Sequence, residues 1–379
     1  MSLVVSNKAV HPDRLERWLG ADVVRQVSDS MLGWYGPPIA VHGVPGAVYV
    51  GRDGDFCGKL NAGFEATKVD HAMDLLKRLK RGLRKVTDPR SARLYAGFTS
   101  LSDLIAEATA GKQRNYHFNK AGATGVANVT NSLWGRGNQP AAGANASNAP
   151  GGDAPTDETT GAFPFTNPTG GDTQHIVSAF VNSGVSGNNL LLYDRIFQVN
   201  KTMNSTATEA VTGVPSRYQN TTAGTADYAG GNFLFVEVGD TALAATAHNW
   251  TTCLYTDESG NASQTLPSLT GNSGAIVRRL DHPAQQWFAP LATGDTGIKA
   301  LTQMQCSAAV ATGVINFVIG HPIAHMPCSL ANLTCPMDYI NTAFNLTRIF
   351  DDAALAFLEV NKPTTAATNY SGTFTTVAG

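Results

Sequence analysis

Histidines, cysteines and paired carboxylates are the residues of this chain whose types and spacing could support chemistry. His321-x-x-x-His325-x-x-Cys328, with Cys335 seven residues on, is a ligand set that zinc accepts. Structural zinc sites use tighter paired knuckles, and Pro322 and Pro327 interrupt any helix that would align the two histidines. Turn or core residues are the plainer expectation, so no metal or other cofactor is assigned. Asp257-Glu258 and Asp351-Asp352 offer paired carboxylates, but glycosidase work needs two carboxyls held across a sugar cleft, and acids in turns are ordinarily solvated. Nine histidines leave room for a Ser-His-Asp triad, yet no Gly-x-Ser-x-Gly elbow accompanies them. Phosphate-binding glycine loops of the Walker or dinucleotide kind do not occur. The expectation is a protein that is not an enzyme.

Charge offers a different kind of site. Residues 68–93 hold nine bases against three acids, and Lys77, Arg78, Lys80, Arg81, Arg84 and Lys85 cover most of one predicted helix. These are candidate contacts to an acidic protein or, nonspecifically, to the phosphates of packaged DNA. Only His71 and Tyr95 interleave as stacking groups, and a solvated helix face is the alternative. Residues 1–120 carry 18 of the 27 Lys and Arg against 12 of the 29 acids, a net +6, which leaves −8 on the remainder. Head-to-tail contacts between copies would use that asymmetry; solvated faces would not need it.

The elements that must position these residues fall into four stretches. Residues 1–119 read as partly helical, with amphipathic segments over 11–32 and 66–86 and a third helix from Ser100 or Ser102 to Ala110, capped by serine and ended by Gly111. Residues 120–173 are rich in Gly, Ala, Asn, Pro and Thr and read as a linker or extended arm. Its aromatics Trp134, Phe163 and Phe165, with Trp18, Trp34 and Tyr35 upstream, are candidate assembly contacts; packing of the arm on its own domain is the competing expectation.

From residue 174 the pattern is short β-branched and aromatic runs punctuated by Gly, Asp and Pro. It predicts strands at 175–181, 189–200, 232–238, 249–256, 275–280, 286–291, 298–307, 314–319, 344–349 and 354–360. Residues 174–362 therefore form an antiparallel β-sandwich of jelly-roll type, followed by an extended tail over 363–379. The expected fold class is α+β, mostly β.

Composition agrees with a covered β protein. Apolar residues make up 42% of the 379, while charged residues make up only 15%, below the roughly 25% of ordinary soluble domains. A surface poor in charge suits a chain covered by neighbours. The five cysteines are odd in number and widely spaced, so reduced, buried thiols are expected rather than a disulfide framework. The first residues lack the apolar core of a signal peptide, and no run approaches the ~18 apolar residues of a membrane span.

Leu191–Tyr218 (LLYDRIFQVNKTMNSTATEAVTGVPSRY), Trp287–Leu301 (WFAPLATGDTGIKAL) and Arg348–Phe357 (RIFDDAALAF) resemble, in texture, the structural proteins of tailed bacteriophage particles. The resemblance covers mainly the C-terminal half. It implies a virion protein made in the bacterial host cytoplasm, present in many copies, in or on the head as shell or cement. A major capsid protein of the usual tailed-phage fold has a long spine helix, and the second half of this chain departs from that by its strands. Its partners would be copies of itself, other virion structural proteins and, nonspecifically, packaged DNA, with no membrane. The alternative is a receptor- or carbohydrate-binding β module of a tail or fibre, presenting Trp250, Tyr255 or Trp287 as an aromatic platform.

Overall fold

The computed structural model describes residues 48–50, 56–58, 98, 100–124, 126–342 and 346–379. Contacts separate the chain into two units, Met1–Leu94 and Tyr95–Gly379. In the first, β1 (Val48–Val50) pairs antiparallel with β2 (Phe56–Gly58). The helices expected over 11–32 and 66–86 lie outside the described residues, and so do Trp18, Trp34, Tyr35, Lys77, Arg78, Lys80, Arg81, Arg84 and Lys85.

The second unit begins with the serine-capped helix α1 (Leu101–Glu107), where the Ser100 hydroxyl accepts the Asp103 N–H at 3.1 Å. Leu104 turns into the core while Leu101 and Ile105 face outward. One irregular turn follows, and Gly111 takes the left-handed φ of 87° that redirects the chain into a strand. The order is then β3 (Gln113–Ala121), β4 (Val129–Ser132), β5 (Asn138–Gln139), β6 (Gln174–Ser183), β7 (Asn188–Thr202), β8 (Glu209–Ala210) and β9 (Phe233–Val238). Short strands β10 (Asn249–Trp250), β11 (Leu254–Asp257), β12 (Gln264–Thr265) and β13 (Leu269–Thr270) come next. The last are β14 (Ile298–Met304), β15 (Val314–Cys328), β16 (Cys335–Asp338), the turn of helix α2 (Tyr339–Thr342), β17 (Arg348–Ile349), β18 (Leu355–Lys362) and β19 (Asn369–Ala378).

The fold is α+β and mostly β, and its named strands pair antiparallel. A central five-stranded sheet runs β4-β18-β7-β15-β9. A six-stranded sheet runs β16-β6-β19-β3-β5, with β17 also on β6, and a four-stranded sheet runs β12-β11-β14-β8. The central sheet is buried on both faces. On one, Leu190, Leu192, Leu355 and Phe357 meet Phe118, Ile176, Val181 and Phe374 of the six-stranded sheet. Farther along that face, Phe197, Val199, Leu234 and Phe317 meet Tyr255, Ile298, Leu301 and Met304 of the four-stranded sheet. A bulge at Ile196 lets one strand serve both: Phe197 pairs with Ile319 and Arg195 with Gly320, leaving Ile196 as the extra residue.

The other face of the central sheet is closed by irregular chain. Tyr193, Phe233, Phe235, Val318 and Leu358 pack there against Trp134, Ala162 and Leu280. Past Arg195, strand β7 has no strand on its β18 side among the described residues, and residues 146–153 supply its hydrogen bonds instead. Asn200 N–H donates to Ser147 O at 2.8 Å, while Asp153 and Gln198 exchange N–H···O bonds at 2.8 and 2.9 Å. The stretch read as a linker or arm thus carries an edge strand, covers one sheet face, and ends with Phe163 and Phe165 inside the inter-sheet core. Gly143 lies against the Trp134 indole, where a Cβ would come within 2.3 Å of the ring; small residues are what the close cover requires.

Several expected strands differ, among them 344–349, whose described residues are strand only at Arg348–Ile349. Residues 275–280 and 286–291 are loops, and 249–256 breaks at Thr252, whose φ is 53°. The strand expected over 314–319 runs on to Cys328, because the register shift beside Pro322 accommodates a residue that cannot donate to a ladder. Residues 369–378, expected as tail, form β19 between β6 and β3, with Tyr370 and Phe374 pointing into the core.

Candidate functional site

Beside β9 and the middle of β15, an open cleft of about 260 Å³ is lined by Phe233, Asn232, Trp287, Phe288, Asp295 and Thr296. The loop carrying Trp287 is pinned to β9, since Ala289 N–H donates to Leu234 O at 2.7 Å. Trp287 stands edge-on to Phe233 (5.0 Å between centroids) and to Phe288 (4.7 Å). Phe288 is 42% exposed. The polar wall is already engaged. Asn232 Nδ2 donates to Tyr218 O and Ile298 O, both at 3.1 Å, and its Oδ1 lies 2.8 Å from His321 Nδ1. Asp295 accepts the Tyr255 hydroxyl, which in turn accepts Ala292 N–H at 2.8 Å. Such a cleft can stack a flat, weakly polar face on its aromatics; its polar groups are committed to holding the wall.

Behind the cleft, His321 stacks on Tyr218 with centroids 3.7 Å apart and planes within 8°. Burial pushes its pKa down to about 3, so it is a neutral hydrogen-bonding group at physiological pH. His325 is exposed on the opposite side of the same strand. His321 and Cys328 are seven steps apart on an extended strand, on the order of 20 Å. The grouping read as a ligand set does not converge, and among the described residues no three His, Cys, Asp or Glu are placed to share an ion.

The paired carboxylates hold turns. Asp257 accepts N–H bonds from Ser259 and Asn261 at 2.9 and 2.8 Å, and Glu258 accepts Thr296 and Gly297 N–H at 3.2 and 3.3 Å. Asp352 exchanges bonds with Asn167 (2.6 and 2.9 Å) in a left-handed turn. Of the three residues offered as an aromatic platform, Trp250 and Tyr255 are core residues and Trp287 alone reaches the cleft. Trp134, Phe163 and Phe165 are buried within their own unit. Cys253, Cys306, Cys328 and Cys335 are free thiols, the first three buried.

Sequence reasoning missed a buried ionic layer. At the bulge of β7, Asp194 and Arg195 point to opposite faces of the sheet. Asp194 takes a two-pronged bond from Arg217 (2.7 Å on each oxygen), and Arg195 donates to Glu237 at 2.7 Å. Burial alone would push the Glu237 carboxyl up; the Arg195 guanidinium outweighs it and holds the pKa below the ordinary carboxylate range. Asn316 and Gln198 complete the layer by bonding Glu237 and Arg195 at 3.0 and 2.6 Å. The available signal was Asp-Arg set inside an otherwise apolar run, LLLYDRIF, which a two-face-buried strand tolerates only with partners.

No family model and no curated protein matches the chain. Among solved structures it is similar to the VP2 subviral particle of infectious bursal disease virus, at 8% identity over 70% of this chain and 80% of that one, with a TM-score of 0.15. Structures of the Gx and Gt strains of that virus align over the same shares at 6% and 7% identity, with the same TM-score. Likeness at that TM-score carries no argument about fold or function.

Proposed function

We propose that this chain is a non-enzymatic structural protein of a virion that assembles with copies of itself and with other virion proteins, most finely as shell or cement of a tailed-phage head. The observation that carries the reading is an apolar edge on the six-stranded sheet. Edge strand β16 leaves Phe180 44% exposed on its neighbour β6, opposite Pro336, and the loop before it exposes Leu330 (57%) and Leu333 (54%). A sheet edge bearing uncovered large apolar side chains invites another chain. The low overall charge removes the repulsion that would keep copies apart. Stable assembly of this kind buries about 2,000 Å² or more in total.

The test is light scattering with negative-stain microscopy on the full-length protein, beside a Phe180→Asp/Leu333→Asp variant. Closed shells, or small oligomers that decorate empty heads, are expected from the parent chain, and dispersed protein of unchanged circular dichroism from the variant. A parent that stays monomeric and ignores particles would sink the proposal. If that monomer instead bound glycans and lost them on Trp287→Ala, the aromatic cleft would carry the second reading, a receptor- or carbohydrate-binding module of a tail or fibre.

A further inference from the structure

Where β4 meets β18, three buried side chains stand together in a way that salt bridging alone does not use fully. Glu359 and Asn131 are register partners on the two strands, and Lys362 lies opposite Val129 after a bulge at Asn361. Side chains of Val129, Asn131, Glu359 and Lys362 share one face of the sheet, turned toward Tyr370 of the six-stranded sheet. Lys362 is 1% exposed, Glu359 is fully buried and Asn131 nearly so. One carboxylate oxygen of Glu359 lies 3.6 Å from Lys362 Nζ and accepts the Tyr370 hydroxyl at 2.6 Å. The other accepts Asn131 Nδ2 at 2.9 Å and Ala123 N–H at 3.4 Å. A primary amine and a carboxamide are therefore held on the two oxygens of one carboxyl group, away from water.

We infer that Lys362 and Asn131 form an intramolecular isopeptide bond, with Glu359 as the catalytic acid–base. The steps balance without an added reagent. The Lys362 ammonium passes a proton to the Glu359 carboxylate, which frees the Nζ lone pair and replaces a buried ion pair by two neutral groups. Nζ attacks Asn131 Cγ, the new Cγ–Nζ bond forms, and the Cγ–Nδ2 bond breaks. Glu359 relays a proton from Nζ to the departing nitrogen, which leaves as ammonia, and the carboxyl ends protonated. Fixed proximity replaces a bimolecular encounter.

The surroundings fit those roles. Lys362 Nζ is also tethered to Ala123 O, which keeps the amine at the site. Tyr370, whose phenol is pushed far up by burial and by Glu359, stays a hydrogen-bond donor that orients the carboxyl. Gly122 closes the pocket: a Cβ there would come within 3.1 Å of Glu359 Oε1 and 3.0 Å of the Tyr370 ring. Lys120 is a second buried lysine, but among the described residues its Nζ meets only the backbone carbonyls of Pro140 and Ala141, at 2.8 and 3.2 Å, and it serves as the internal control. The bond would join residues 131 and 362 and fasten the edge strand β4 to β18, closing most of the second unit into one covalent loop.

Intact-mass spectrometry of the full-length folded protein reads the inference directly. The expected mass is below that of the sequence by one ammonia, about 17 Da, and a proteolytic digest should yield one branched peptide joining the segments of Asn131 and Lys362. Glu359→Gln and Lys362→Met should each restore their own sequence mass, while Lys120→Met keeps the deficit. A parent chain at its full sequence mass, with the two segments recovered separately, overturns the inference. So does a deficit that survives Lys362→Met, which would assign the lost ammonia to cyclisation at another asparagine.

Discussion

The two faces of the central sheet are buried to the same depth by opposite means. One is covered by other sheets, and its contacts are side chain on side chain, as where Phe357 meets Phe118 and Phe163 at 4.8 and 5.4 Å. The other is covered by irregular chain over 134–162, and its middle holds Arg195, Glu237, Gln198, Asn200 and Asn316. A sheet brings its own satisfied backbone to an interface; a loop brings bare N–H and C=O groups that need partners. Asn316 illustrates the consequence, because its Oδ1 accepts Ala146 N–H from the cover at 3.2 Å while its Nδ2 donates to Glu237. The polar layer under the loop is what lets a loop serve as a lid.

The largest effect should come from breaking that layer. Glu237→Ala leaves the Arg195 guanidinium buried without its counter-charge, a loss of about 3–5 kcal/mol. Phe357→Leu on the opposite face, which shrinks a side chain in an apolar core, should cost about 1–2 kcal/mol. Urea unfolding of both variants, with Arg195→Met/Glu237→Leu as a third, checks the contrast. The double variant should recover most of the loss, since it removes both charges together. Equal costs for Glu237→Ala and Phe357→Leu would mean that the ionic face is no more demanding than the apolar one.

Much of the sheet-covered side was legible in the sequence, and the loop-covered side was not. Strand β7 reads as LLLYDRIF because both of its faces are buried, and β9 as FLFVEV for the same reason. β19 carries only Tyr370, Phe374 and Val377 among small polar residues, so its composition suggested a tail even though Tyr370 and Phe374 enter the inter-sheet core and Val377 packs on the other side against Phe98 and Leu104. Gly, Ala and Asn in 134–162 look like a linker because composition reports how little apolar area a segment owns, not how closely it is packed. The cleft was legible in part. Trp287-Phe288 stood out as an aromatic pair, but in a strand adjacent side chains point to opposite faces, and only a loop brings both to one opening. Asp295 and Phe233 reach it through tertiary pairing that no local pattern records.

Acid should separate the two faces in a second way. The Arg195–Glu237 pair stays charged through the mildly acidic range, whereas His175, His282 and His321 are held neutral, with pKa pushed down by burial to about 4, 4 and 3. His282 Nε2 must accept the Val236 N–H at 2.8 Å, which a protonated ring cannot do. In the unfolded chain these rings take up protons near pH 6.5. Between about pH 6.5 and 4 the unfolded state therefore binds more protons, and stability falls with falling pH by up to about 1.4 kcal/mol per unit for each histidine. His248 has the opposite sign: burial lowers its pKa, but the hydrogen bond to Asp281 at 2.8 Å outweighs that and raises it. Its contribution is complete below about pH 6.5 and is lost as pH rises through its folded pKa. For these four groups stability is greatest near pH 6.5. Urea midpoints followed across pH 4–8 should show that maximum, and His321→Gln should make the acid limb shallower by one proton; an unchanged limb would mean that His321 is already protonated in the fold.

The smallest effect asks how firmly the lid is bound. Trp134 is its largest side chain, set 4.8 Å from the Arg195 guanidinium, and its indole N–H donates to Ala144 O at 2.9 Å. Trp134→Phe keeps an aromatic face under the cation and removes one hydrogen bond with part of the ring, so a loss of about 1–2 kcal/mol is expected. In a unit of this size that lowers Tm by several degrees. A drop as large as that of Glu237→Ala would mean that the lid and the ionic layer unfold as one body, each failing when the other is cut. No drop at all would mean that the indole only fills space, and that backbone bonds such as Asn200 N–H to Ser147 O hold the cover down. The expected middle value places the lid between those limits: a loop made rigid by the polar groups beneath it, with its one large aromatic as a secondary anchor.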